Sequence, residues 1–529
     1  MEAGPPDNQP DEAPPGEPSQ FDPSAWPPPA ASGLPVWPPP GAWAAPGTWP
    51  APVGGPTRKR RVGVWVGAGA AALVLIVGVV VVATGALAKG PSYPKAWDPR
   101  VAPIAQFVEK QRGLHWKHPV KVEFLADKQF VAAISQGDDS SGSPDDQSYV
   151  GAVRAFGLIS GNVDLSKSSQ DFQQTDVVGL YENNDRTVFV RGDTLNPNVR
   201  SVLAHELTHA LQAQYFNLDK MRSGHQDDDS AVTALIEGDA VRVQNAYEQS
   251  LSSSDQQLLI QEQDQTGGQI DKSNSEQKIP QFLIDQGDFP YDFGPTFVAA
   301  LVAEGGNDKV NAAFRDPPTL DSQIITPGSY APGGRPPSVR APVLPRGAHE
   351  IQSPSGFGQL PLTEMLGDEI GYPAAWSATR NWQQDQWIGY TVDGRSCVDL
   401  TVLSNSSGSA AGLLQAGEKW ASHLPGARVT RSGAIVDFHS CDPGSAWKPA
   451  QSGDDTYTAL ATQSVLTYQL ITDAHLSVPL ATCTSDRLLT SVGLKELEAG
   501  EQATDPNSPA VQALQKQLPA AVQACSQTP

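Results

Sequence analysis

An α+β fold is predicted by three features of the sequence. Strand-like runs at Pro119–Leu125 and Val177–Arg191 come first, and long helical patterns follow at Pro197–Tyr215 and from Ser230 onward. A distal segment of the 529-residue chain again mixes both periods, with strand-like Trp387–Val392 and Ala434–Phe438 beside a helical pattern over Ala410–Leu424. Between the two parts lies a Pro- and Gly-rich stretch, Pro327–Ser355.

The first 57 residues are dense in proline, repeat Trp-Pro-Pro-Pro at Trp26 and Trp37, and contain no basic residue. With few aliphatic side chains to bury, residues 1–57 are expected to stay extended and disordered. Such a tail serves as a solvated spacer, or as a docking site for a cytoplasmic partner that reads polyproline turns. Arg58-Lys59-Arg60-Arg61 then abuts an uncharged stretch from Val62 to Ala88. That stretch exceeds the ~20 residues a helix needs to cross a bilayer, so residues 58–88 are predicted to form a single transmembrane anchor. The preceding basic cluster sets the N-terminus in the cytoplasm and the C-terminal domains outside the cell membrane. Ala86-Leu-Ala88 resembles a signal-peptidase site, but the apolar segment is too long and begins too late for an ordinary signal core.

Beyond the anchor, Pro119–Leu125 reads as a strand and Asp127–Ile134 as a helix. The Ser-, Gly- and Asp-rich run Gly137–Asp146 is expected to be a surface loop. Val177–Arg191 reads as a hairpin about an Asn183-Asn184-Asp185 turn, its second run either a sheet edge able to pair with extended substrate or an interior strand. Asn196 then Pro197 supply an N-cap and first helical residue, and Val202, Leu203, Leu207, Ala210 and Leu211 recur at helical spacing. A helix from Pro197 to about Tyr215 follows.

That helix carries His205-Glu206-Leu-Thr-His209. Histidines four apart sit one turn above the other on a single face, the spacing of a zinc pair, and Glu206 projects from the next position around the helix. Only nine histidines occur in the chain, which makes a chance pairing of this pattern improbable. Two histidines hold zinc poorly without a third protein ligand. A second helix capped near Asp229 or Ser230 places Glu237 among Leu235, Ile236 and Ala240, where an unpaired carboxylate is costly and a cation removes the cost. Glu237 is therefore expected to be the third ligand, with Asp239 orienting a ligand or completing a polar face. His225 and the acidic run Asp227–Asp229 are expected to be solvated.

These residues resemble the gluzincin class of zinc metallopeptidases, in which such a helix and a glutamate on a later helix bind the metal. The resemblance is closer to a little-characterised, membrane-anchored bacterial group that shares further segments with this chain. They begin at Arg112-Gly-Leu-His-Trp-Lys-His-Pro-Val, Tyr291-Asp-Phe-Gly-Pro-Thr-Phe and Asp316-Pro-Pro-Thr-Leu-Asp. The similarity spans about residues 98–450. It implies a zincin-like core, one zinc ion per chain held by His205, His209 and Glu237, and Glu206 as general base. One position departs from the pattern: thermolysin-like members carry an acid four residues after the ligand glutamate, and here Val241 stands there. Support for a ligand histidine must then come from elsewhere. Three ligands leave a position for water, from which Glu206 would take a proton. Tyr291 is the candidate that stabilises the developing oxyanion.

All four cysteines, Cys397, Cys441, Cys483 and Cys525, lie in the distal segment. Outside the cytoplasm an even number favours two disulfides, and the nearest-neighbour pairing Cys397–Cys441 and Cys483–Cys525 is the first of three connectivities. The expected organisation is a metallopeptidase domain over 89–330, a linker over 331–355 and a small disulfide-containing α+β domain over 356–529. A net charge of −22, mostly outside the tail, argues against nucleic acid or anionic lipid as a partner. The sequence thus predicts an envelope-facing zinc endopeptidase acting on peptide or protein substrates. The rival expectation is a zinc-stabilised binding or scaffold protein, for which Glu206 has no use.

Overall fold

The computed structural model describes Met1 and residues 93–135, 146–174, 178–183, 186–223, 229–449, 454–501 and 508–527. The proline-rich tail, the expected anchor at 58–88, most of the Gly137–Asp146 loop, and His225 with Asp227 lie outside the described residues. Among those described, no helix is long and apolar enough to cross a membrane.

The chain is α+β, with two sheets among many helices. Strands β1 (Lys121–Leu125), β2 (Gly179–Glu182) and β3 (Thr187–Arg191) form the first sheet in the order β1-β3-β2. β2 and β3 are the antiparallel hairpin predicted around Asn183, and β1 lies parallel to β3 on its other side. The second run of the hairpin is therefore interior, and the first run is the edge. Parallel pairing of β1 with β3 needs a crossover, which the intervening helices Asp127–Ser135, Asp146–Phe156 and Leu165–Gln174 supply. Val188 and Val190 of β3 and Tyr181 of β2 bury against Leu203, Leu207 and Leu211 of the helix Pro197–Tyr215.

The second sheet is antiparallel throughout, ordered β4-β5-β6-β8-β7. Its strands are β4 (His349–Ser355), β5 (Trp382–Val392), β6 (Arg395–Ser404), β7 (Arg428–Ser432) and β8 (Ile435–Cys441). Within the stretch expected to be a linker, His349–Ser355 is thus an edge strand, although its proline, Pro354, and its register shifts against β5 fit an edge. Helix Ser407–His423 covers this sheet, Trp420 buried beneath it. Both expected disulfide pairs are present, Cys397–Cys441 across β6 and β8 and Cys483–Cys525 between helices Val478–Val492 and Pro509–Ser526.

The hydrophobic cores cross the expected domain boundary. Ala152, Ala155 and Phe156, from the helix Asp146–Phe156, bury with the strands and helices of the distal sheet. Phe293 and Phe297, from the helix Gln281–Arg315, share a second core with Tyr457, Leu460 and Leu466 of the helix Asp454–Thr472. The composition break at 331–355 is consequently not a gap between cores.

Candidate metal centre

Two helices supply the site, and local sequence explains how each is set. The motif helix Pro197–Tyr215 begins where Asn196 accepts a 2.8 Å hydrogen bond from the Val199 backbone N–H. It is buried on nearly every face from Pro197 to Gln212, which is why its polar residues must find partners inside the protein. Glu237 comes from the helix Ser230–Gln249, also largely buried. Close approach of that helix to Gln281–Arg315 rests on two glycines: a Cβ on Gly238 would lie 2.2 Å from the carbonyl carbon of Gly294. The same approach brings the Tyr291 ring over His205, with centroids 6.5 Å apart and planes 28° from parallel.

Three candidate ligand atoms converge. His205 Nε2 and His209 Nε2 are 3.0 Å apart, and Glu237 Oε2 lies 3.2 Å from the first and 3.1 Å from the second. All three residues are buried, and among the described residues they are the one such group able to hold a metal ion. Glu206, fully buried, accepts a 2.7 Å hydrogen bond at Oε2 from the Tyr181 N–H on edge strand β2. Its Oε1 has no hydrogen-bond partner, and neither has Glu237 Oε1. Orphaned carboxylate oxygens inside a protein carry a desolvation cost of several kcal/mol, which a bound cation and a water would relieve. The donor set of two imidazole nitrogens and one carboxylate fits zinc with a position left open.

Without a metal the electrostatics reflect the same crowding. Burial works to raise the Glu237 carboxyl, but the charge of His209 and hydrogen bonds from both histidines outweigh it and hold Glu237 well below the usual range. For His209, burial disfavours the charged ring, yet the charge and hydrogen bond of Glu237 push it up to about 9. Both shifts run in the direction of an ion pair between Glu237 and a protonated His209, the positive charge that a cation would otherwise supply. Burial pushes the Glu206 carboxyl up, against the opposing charges of His205 and His209.

Around these ligands stands a second set of side chains. His205 Nδ1 meets Gln244 Oε1 at 3.0 Å, and His209 Nδ1 meets Gln212 Oε1 at 3.1 Å. Gln212 Nε2 donates to Asp239 Oδ2 at 2.9 Å, and Arg112 Nε and Arg242 Nη2 bind Asp239 at 2.6 and 2.9 Å. Asp239 therefore acts on a ligand only through Gln212. The fold places the sequence-predicted His205, Glu206, His209, Glu237 and Tyr291 near one another, and adds Gln212, Gln244, Glu248 and Arg112, which the sequence did not single out for the site. Gln212 was detectable, since it follows His209 by three and shares its helix face. Gln244 follows Glu237 by two turns, but nothing in that spacing distinguishes it from a surface glutamine. Asp229 sits at the N-cap position of its helix without a side-chain capping bond and is not part of the cluster. No family model, no curated protein and no solved structure matches this chain.

Proposed function

We propose that the chain is a membrane-anchored, zinc-dependent endopeptidase facing the cell envelope, with a zincin-like core of the gluzincin type. The observation that carries the reading is the meeting of His205 Nε2, His209 Nε2 and Glu237 Oε2 within 3.2 Å of one another beside a buried glutamate that is not a ligand. A structural zinc site closes its fourth position with another protein ligand. Here the described residues offer three, and the neighbouring side chain is a base.

Zinc bound to this set would supply a Lewis acid and a water whose pKa is lowered to about 7. The remaining chemistry belongs to the chain. Glu206, tethered at one oxygen by the Tyr181 N–H, has its other oxygen unpaired and can take a proton from a water and return it to the leaving amine. Burial raises this carboxyl toward the operating pH, which suits a group that must both accept and release a proton. Tyr291, half-buried with its ring beside His205, is the candidate donor to the oxyanion. Burial of the whole cluster excludes bulk water and strengthens each of these interactions.

The decisive experiment compares the full chain, purified in detergent, with Glu206→Gln. One zinc per chain in both, with cleavage of a denatured protein only by the unaltered chain, is the expected result. Zinc in both with cleavage in neither, across a broad peptide library, would transfer the site to the scaffold reading, and absence of zinc from both would overturn the metal centre.

A further inference from the structure

Each ligand histidine ends on a glutamine, and each glutamine ends on a carboxylate. His209 leads through Gln212 to Asp239, and His205 leads through Gln244 to Glu248. A glutamine amide can be built either way round, and its partners decide which end is oxygen. Gln212 Nε2 lies 3.1 Å from the Ile236 carbonyl and 2.9 Å from Asp239 Oδ2, both of which only accept. Gln244 Nε2 lies 3.3 Å from Glu248 Oε1 and 3.0 Å from Ser201 Oγ, whose own proton goes to that same Glu248 oxygen. Turning either amide over would set oxygen against oxygen in a buried site.

The far ends of both chains are fixed in turn. Asp239 is held by Arg112 and Arg242, and Arg242 also reaches Asn307 Oδ1 at 2.9 Å. Glu248 Oε1 also accepts from Gln263 Nε2 at 3.2 Å, tying it to the helix Ser253–Gln277. Both amides must then present Oε1 to an imidazole, and both imidazoles must donate from Nδ1. On the neutral rings that a metal requires, the lone pair is then left on Nε2, the atom that faces Glu237.

We propose that Gln212–Asp239 and Gln244–Glu248 are paired positioning relays that fix the tautomer and direction of the two metal ligands. This rests on reading the site as a metal centre. A carboxylate set directly on an imidazole makes it a stronger donor and adds negative charge beside the ion. Placing an amide between them keeps the directing effect and withholds the charge. Glu237 is left as the one anionic ligand, so a divalent ion in the site keeps a net positive charge.

The test is zinc affinity of the detergent-purified full chain, measured by competition with a chromogenic chelator at fixed pH. Gln244→Met and Gln212→Met remove the acceptor at similar length and are expected to weaken zinc roughly 10- to 100-fold. The melting temperature of each metal-free variant checks that the fold survives. Exchanging the relay order, Gln244→Glu with Glu248→Gln, restores an acceptor to His205 and a donor behind it, and should recover affinity to within about threefold. Packing alone would not be rescued by that exchange. Normal affinity in both methionine variants overturns the proposal, as does a well-folded exchange variant that binds as weakly as Gln244→Met. Failure of the unaltered chain to bind zinc would instead sink the metal centre itself, so the two failures are distinguishable.

Discussion

At the scale of single residues, the site is a contest among buried charges. In the metal-free protein His209 has its folded value raised to about 9, so its proton stabilises the fold fully below the unfolded value of about 6.5, and that contribution is lost as pH rises through the folded value. Glu237 is depressed, so its contribution is present above about 4.5 and is lost only in strong acid. Raised Glu206 acts in the same direction, its contribution falling away as pH rises above about 4.5, since its charged form is the costly one. The metal-free chain is therefore expected to lose on the order of a few kcal/mol of stability between about pH 6.5 and about pH 10. Zinc-loaded protein should lack this loss, because the ion replaces the proton. Thermal melts across that pH range, with and without zinc, measure it, and parallel profiles would mean that no proton is held in the pocket.

Between elements, two glycines decide how closely the Glu237 helix and the Tyr291 helix can lie. A Cβ on Gly238 would stand 2.2 and 2.3 Å from backbone atoms of Gly294, and backbone cannot rotate out of the way as a side chain can. Gly238→Ala should cost roughly 2 kcal/mol or more by overpacking and should weaken zinc binding, because Glu237 is its neighbour. Gly267 is the control. It lies within the helix Ser253–Gln277 with nothing within 4 Å of an added Cβ, so Gly267→Ala should stabilise by about 0.5–1 kcal/mol. Denaturant unfolding of the two variants separates a packing effect from a propensity effect, and equal shifts would contradict the close approach. The motif helix itself was legible to its ends, since Asn196, Pro197 and the apolar repeat are local signals. The hairpin was legible too, whereas the interior place of its second strand was not: pairing with β1 is made across some sixty residues of intervening chain.

For the whole molecule, the distal segment completes cores that the part bearing the His205–His209–Glu237 cluster begins. The Tyr457 hydroxyl donates to Asp292 Oδ2 at 2.8 Å and the Thr296 hydroxyl to the Ser464 carbonyl at 3.0 Å, while Phe293 and Phe297 bury against the same helix. Each large side chain uncovered by truncation forfeits about 1.5–3 kcal/mol, and several together exceed the ~5–15 kcal/mol that a folded protein has in reserve. A chain ending at Ser355 is therefore expected not to fold cooperatively, seen as a loss of near-ultraviolet circular dichroism and rapid tryptic digestion. A stable, zinc-binding fragment of that length would show that the shared cores are dispensable. The Cys483–Cys525 bond reinforces the same arrangement, holding the final helix, whose Leu514 joins that core.

The sequence by itself determined what nearest neighbours along a chain can determine. Histidines four apart on a capped helix share a face whatever surrounds them, strands announce themselves by β-rich runs bounded by turn residues, and an even set of four cysteines announces two disulfides without saying which pairs form. Tertiary structure alone decided where side chains distant in sequence meet. It set Arg112 against Asp239, placed the Tyr181 N–H on Glu206, and lined each histidine with a glutamine backed by a carboxylate. The physical reason is that a buried polar atom must be satisfied by whatever the packing brings within about 3 Å, and the sequence does not record which atom that is.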